Sequence, residues 1–147
     1  MGDKILVDTN VLVYARDATD PQKQKMALAW MSYLWKTRTG RLSFQVLQEF
    51  YLTVTQKLDP GLEPERARQD VRLLFSWLPV QIDPRVIETA WYVQDRHRLS
   101  WWDALIVSAA RLAGCRYILS EDFKSGQELV EIKIINPFQL SPGSLTE

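Results

Sequence analysis

The sequence offers few of the residues that usually announce chemistry. A single cysteine, Cys115, excludes an internal disulfide and a cysteine-based zinc site. Beside Gly114 and ahead of an apolar stretch, it reads as a packing residue. A single histidine, His97, excludes a two-histidine metal motif and leaves no serine or cysteine nucleophile with a local histidine base. The longest unbroken apolar run, Met26 to Met31, has six residues, far short of the ~20 that a membrane-spanning helix needs. Neither sign of charge dominates: eighteen basic and eighteen acidic side chains give a formal net charge of zero. Nonspecific wrapping of nucleic acid therefore has no global electrostatic drive, although a local basic strip fits within that balance. Eleven of the eighteen cations are arginine, a bias that suits planar phosphate contacts and surface ion pairs alike. The opening Met-Gly-Asp-Lys has no apolar signal core, so the expected location is cytoplasmic.

What the chain does have is material for one core. Its 147 residues are 46% hydrophobic and 24% charged, and a domain of this length buries roughly 69% of its unfolded surface. Lys4 to Val7 is a short aliphatic run without alternation, the pattern of a strand buried on both faces. Pro21 to about Arg38 has helical spacing and is closed by Gly40, and Arg41 to Phe44 reads as a second strand. Gln45 to Lys57 is expected to be one helix, broken by Asp59-Pro60-Gly61. Pro64 opens another, which buries Ala67, Val71, Leu74, Phe75 and Leu78 before Pro79. A brief strand is expected over Pro79 to Ile82. Asp83-Pro84 caps the next helix, and Ser100 caps one from Trp101 to Ala113 that Gly114 closes. Arg116 to Leu119 and Glu131 to Asn136 complete the strands. The alternation is that of a single α/β domain with a mainly parallel central sheet between helical layers.

Four acids in this pattern lack ordinary partners. Ligands of open α/β sheets bind beyond the carboxyl ends of strands, where Asp8 follows Ile5-Leu6-Val7 and Asp122 follows Leu119-Ser120-Glu121. Asp8 equally suits the N-cap of a short helix, and Glu121, adjacent to Asp122, competes with it for the same role. Three and four residues from Glu49 lie Gln45, Val46, Leu52 and Thr53, none of them a cation. Around Asp103 the corresponding residues are Leu99, Ser100, Ile106 and Val107, so its carboxylate sits on an apolar flank unless it closes a capping box with Ser100. By contrast Glu65 has Arg68, Asp70 has Arg66 and Asp95 has Arg98 at helical spacing. Unpaired buried carboxylates cost several kcal/mol, whereas a cluster of them around Mg²⁺ or Mn²⁺ satisfies its oxygens. Such ions are completed by water and phosphate oxygens, which points to phosphodiester chemistry.

In order and spacing, these segments resemble the PIN-domain ribonucleases, most closely the VapC-type toxins of toxin–antitoxin pairs. The resemblance runs from Ile5-Leu6-Val7-Asp8-Thr9-Asn10-Val11-Leu12 to Ile135-Asn136-Pro137-Phe138. Between them lie Ser43 to Glu49, then Leu99-Ser100-Trp101-Trp102-Asp103-Ala104-Leu105-Ile106, then Leu119-Ser120-Glu121-Asp122-Phe123 with Gly126-Gln127. The resemblance implies a PIN-like nuclease domain over residues 1–140, followed by a frayed tail over 141–147. It implies a metal-dependent endoribonuclease whose catalytic acids Asp8, Glu49, Asp103 and Asp122 hold one or two Mg²⁺ or Mn²⁺ ions, with Asp122 preferred to Glu121 by the family's spacing. Thr9, Asn10 and Ser120 would orient the ligands or the metal's waters, Ser120 standing where the family usually has Thr. It further implies an RNA substrate, a homodimer, and a cognate antitoxin whose C-terminal segment blocks the active site.

Arg96, His97, Arg98, Trp101 and Trp102 precede Asp103 as a basic and aromatic strip, and Arg96, Arg98 and Trp101 are its candidate RNA contacts. The competing picture has Trp102 in the core, His97 at a helix C-terminus and both arginines solvated. Three other functions fit parts of the pattern. A haloacid-dehalogenase-like phosphatase needs a second Asp where Asn10 stands. A catalytically inactive PIN-like module that binds RNA or protein, and a PIN nuclease of RNA processing without an antitoxin, share the same acids. Ser100 separates cap from site. If Asp103 serves mainly a capping box, Ser100→Ala and Asp103→Asn each cost about 1 kcal/mol of stability with similar, small effects on activity. As a ligand, Asp103 alone abolishes cleavage when replaced, which stability and activity assays of the two variants distinguish.

Overall fold

Ile5, Leu6 and Val7 are withdrawn from solvent on both faces of a five-stranded sheet, as their unbroken aliphatic run requires. The computed structural model describes residues 2–145. Strand β1 (Lys4–Val7) is central, paired in parallel with β2 (Gly40–Arg41) on one side and β3 (Cys115–Leu119) on the other. Beyond β3 lies β5 (Ile132–Ile135), also parallel, and then the antiparallel edge β4 (Glu128–Leu129), giving the order β2-β1-β3-β5-β4. The chain is thus one α/β domain with a mostly parallel sheet. Among the described residues six α-helices surround it: α1 (Thr9–Tyr14), α2 (Pro21–Thr37), α3 (Phe44–Leu52), α4 (Pro64–Leu74), α5 (Pro84–His97) and α6 (Trp101–Leu112).

The helix starts follow from local chemistry. Asp20, Ser43, Asp83 and Ser100 each accept, through the side chain, from the backbone N–H three residues on, satisfying donors that an N-terminus leaves free. Pro21, Pro64 and Pro84 occupy first-turn positions, where the missing N–H costs nothing. The buried indole of Trp30 donates to the carbonyls of Pro137 and Leu140, at 3.1 and 3.0 Å, and ties α2 to the C-terminal segment.

Several boundaries differ from expectation for identifiable reasons. Helix α2 ends on Arg38 in the left-handed region, while Gly40 belongs to β2, where an added Cβ would lie 2.6 Å from the Trp77 ring. Because Ser43 caps α3, Phe44 opens that helix instead of ending a strand. The single helix expected over Gln45 to Lys57 divides at Leu52 into α3 and a π-helical turn, Thr53–Lys57. There the Thr55 hydroxyl takes the Tyr51 carbonyl at 2.7 Å and Leu58 N–H reaches back to Thr53 O. After α4 a 3₁₀ turn, Phe75–Trp77, rotates Trp77 inward and leaves Phe75 and Leu78 exposed rather than buried. Pro79 to Ile82 forms no strand, only a bridge between Val80 and Ser43. The hairpin β4–β5 turns through Val130 and Glu131, both at positive φ without glycine or asparagine, and so gave no turn signal. In the tail expected to fray, Pro142–Leu145 forms a 3₁₀ turn and Leu145 packs against the core; the last two residues lie outside the described range.

Candidate active site

Parallel pairing of β1 with β3 runs to Val7 opposite Leu119, and the Asp8 N–H continues it by donating to Leu119 O at 3.0 Å. Asp8 and Ser120 therefore leave adjacent strands side by side. Buried Ser120 donates to Asp8 Oδ2 at 2.8 Å and accepts from the Asp122 N–H at 3.1 Å. The other Asp8 oxygen accepts from Thr9 N–H at 2.8 Å, so Asp8 is both the N-cap of α1 and a member of the cleft.

Asn10, the second residue of α1, ties these strand ends together. Its Nδ2 lies 3.1 Å from Ser120 Oγ, 3.2 Å from Asp122 Oδ2 and 3.4 Å from Asp8 Oδ2, while its Oδ1 accepts from Glu121 N–H at 3.2 Å. Thr9 Oγ1 donates to Glu49 Oε1 at 2.9 Å, joining α3 to the same group. The N-terminus of α6 brings in Asp103. All four expected acids line one cleft of about 580 Å³, together with Thr9 and Asn10. Glu121 lines the same cleft but is already partnered: Lys23 Nζ sits 2.6 Å from its carboxylate and the Tyr14 hydroxyl 3.2 Å away. Of the two adjacent acids, only Asp122 is left without a cationic partner among the described residues.

Burial pushes the Asp8 carboxyl from its ordinary value of 3.8 up to about 6, against the lowering bonds from Ser120 and Thr9 N–H; the charges of Asp122 and Glu49 push it further up. Asp103 is raised for the same first reason, opposed by the Ser100 hydroxyl and assisted by the Asp122 charge. Desolvation thus exceeds like-charge crowding at both. The Ser100 hydroxyl accepts from Asp103 N–H at 3.2 Å, which forms the first half of a capping box. No salt bridge reaches Asp8, Glu49, Asp103 or Asp122 among the described residues.

In this arrangement no three acidic, histidine or cysteine side chains among the described residues converge on one ion's position. The donor set still has the chemistry of a hard-cation site, being all oxygen, uncompensated in charge and partly desolvated. Glu49 and Asp122 are exposed side chains with room to turn inward.

The expected RNA strip is not gathered here. Arg96 and Arg98 are exposed and away from the cleft, Arg98 closing α5 in the left-handed region, and Trp101 packs against the core. Trp102 is the residue at the cleft, 62% exposed, and not in the core. Ser100 sets the rotation of α6, which carries Trp102 and Asp103 to the cleft and turns Trp101 inward. His97 accepts from the Val130 N–H through Nε2 at 3.2 Å. Sequence reasoning passed over Gln45 and Lys57 of the cleft, and it misassigned the partner of Asp70 outside it. Gln45 lies one helical turn before Glu49, a spacing that marks a shared face, whereas Asp70 pairs with Arg16, 54 residues away, instead of Arg66.

The sequence model of the PIN domain matches residues 5–126, most of the chain and all four acids. The chain belongs to the PIN domain family. Solved structures share the fold of this PIN domain. A toxin–antitoxin complex from Klebsiella pneumoniae matches with a TM-score of 0.66 at 15% identity, covering 91% of this chain and 98% of that one. VapC20 of Mycobacterium tuberculosis, a sarcin-ricin loop cleaving toxin, gives 0.63 at 23% identity over 88% and 99%. VapBC2 of Rickettsia felis, bound to a fragment of promoter DNA, gives 0.62 at 15% identity over 88% and 96%. No curated protein sequence matches the chain.

The electrostatics of this PIN domain have a measurable consequence. Asp8 titrates higher folded than unfolded, so its contribution to stability is fully present below about pH 4 and is lost as pH rises through about 6. In chelator, Asp8→Asn is therefore expected to gain stability relative to wild type across that window, by as much as roughly 3 kcal/mol at pH 7. Urea denaturation of both proteins between pH 4 and pH 7 checks it. A variant less stable than wild type by a pH-independent margin contradicts the desolvated-acid description.

Proposed function

We propose that this PIN domain is a metal-dependent endoribonuclease that cleaves RNA phosphodiester bonds and serves as the toxin of a toxin–antitoxin pair. The observation that carries the reading is the assembly of Asp8, Glu49, Asp103 and Asp122, none ion-paired among the described residues, in one cleft at the carboxyl ends of β1 and β3. A bound Mg²⁺ or Mn²⁺ would supply hydroxide at neutral pH and neutralise charge on the attacked phosphate. Asp8 and Asp103 are its principal holders in this proposal, since burial makes their ionised forms need a counter-charge most. Ser120 and Thr9 N–H fix the Asp8 oxygens, Asn10 holds Asp122, and Thr9 holds Glu49.

Protein bases other than carboxylates are scarce at the cleft. His97 is not among the residues that line it and accepts from Val130 N–H through Nε2, so proton transfer from water falls to the carboxylates themselves. Exposed Trp102 at the rim presents a face on which an unpaired base can stack. The phosphatase alternative loses support because Asn10, where a proton-donating acid would be needed, is a hydrogen-bonded amide. The assignment as a toxin, with an antitoxin partner, a homodimeric state and a cytoplasmic location, draws on the likeness to toxin–antitoxin complexes. Among the described residues no helix is long and apolar enough to cross a membrane.

Purified protein is expected to cut single-stranded or looped RNA with Mg²⁺ or Mn²⁺ and not in chelator. Asp8→Asn and Asp103→Asn should each lose at least about a hundredfold in rate, a barrier increase of ~2.7 kcal/mol. Gel-based cleavage assays read this; full activity in chelator would contradict the metal dependence, and full activity in either variant would place the chemistry outside this cleft.

A further inference from the structure

Gln45 stands out in the cleft for what its side chain leaves undone. It is the second residue of α3, one helical turn before Glu49, and the two share the helix face that lines the cleft. Gln45 is 8% exposed, and its Oε1 is the buried side-chain polar atom without a hydrogen-bond partner among the described residues. Its Nε2 makes no hydrogen bond there either. An unmade bond on a buried amide costs about 1–3 kcal/mol, and a Met or Leu of similar size would avoid that cost. The fold therefore gains nothing from the amide, and native proteins leave few such groups unexplained.

The missing partner can be described from the surroundings. The ionised carboxylates of the cleft are acceptors only, so they can serve the Gln45 N–H groups but never its oxygen. The oxygen needs a donor, and at 8% exposure the donor must be as small as water. Waters held by a hard divalent cation direct their protons outward and are the strongest small neutral donors that an all-oxygen cleft can contain. Terminal amide torsions are broad, and with no protein bond to break, Gln45 can present either atom to the cleft. We propose that Gln45 is a positioning residue of the acid cleft, its amide oxygen accepting from a water of the bound cation's hydration shell. The inference rests on the metal-dependent reading given above.

The test uses the full chain with Mn²⁺ as the probe, and Gln45→Met as an unbranched replacement that keeps the volume. In chelator, Gln45→Met should melt at or above the wild-type temperature. Calorimetric titration should show its Mn²⁺ affinity weakened about tenfold, the scale of losing a group that orients a metal's ligands. Gln45→Glu, which restores an acceptor oxygen, should bind Mn²⁺ at least as tightly as wild type. A purely structural role would instead lower the melting temperature of Gln45→Met in chelator and give no recovery of affinity in Gln45→Glu, and either result overturns the proposal. Wild-type affinity in Gln45→Met removes this inference and leaves the metal site standing. Failure of wild type itself to bind Mn²⁺ removes both.

Discussion

Parallel pairing of β1 with β3, in register from Ile5 opposite Tyr117 to Val7 opposite Leu119, ends the two strands at one level although they lie more than a hundred residues apart in sequence. The aliphatic runs that drive the pairing are buried on both faces and bounded by Lys4 and Asp8, so a slip of one residue would draw a charged flank into the apolar interior. The register is therefore fixed by the core, and the core fixes the distance between Asp8 and Ser120. From that point short-range chemistry takes over: Ser120 and Asn10 tie the two strand ends together, and Thr9 extends the tie to Glu49. Capping does the same for Asp103, because the Ser100 hydroxyl fixes where α6 begins and hence which side chains of its first turn face the cleft.

Such an arrangement works against stability. Asp8 is almost fully buried, accepts bonds from Ser120 and Thr9 N–H, and still titrates near 6. Those two hydrogen bonds recover only part of the solvation that ionised Asp8 gives up on burial. Neighbouring Glu121, on the rim of the same cleft, is by contrast partnered by Lys23 and Tyr14. The contrast between Glu121 and Asp122, adjacent in sequence and opposite in treatment, is the physical basis for assigning them different roles. Gln45 belongs with the uncompensated group, as a buried amide whose partner the protein does not provide.

Much of this was readable from residue order. Runs such as Ile5-Leu6-Val7 specify buried strands, and Asp83 and Ser100 specify helix starts, because both signals are local and act through hydrogen bonds or burial within a few residues. The four acids stood out because their helical and strand neighbours offered no counter-charge. What sequence could not supply was rotation and long-range partnership. The facing of Trp101 and Trp102 depends on the phase of α6 against the core. The Arg16–Asp70 pair depends on the turn after α1 meeting α4. The division of Gln45 to Lys57 into an α-helix and a π-helical turn depends on one threonine competing for a carbonyl. Turn residues Val130 and Glu131 adopt positive φ against their own preference, so β4 left no mark in the sequence.

Anomalous X-ray scattering at the manganese edge, from crystals grown with Mn²⁺, would locate the ion against these side chains. The proposed site predicts a peak in the cleft within ligand distance of Asp8 and Asp103, with the exposed Glu49 and Asp122 carboxylates turned toward it. An empty cleft at saturating Mn²⁺, with the acids still held by Ser120, Asn10 and Thr9 alone, would contradict it.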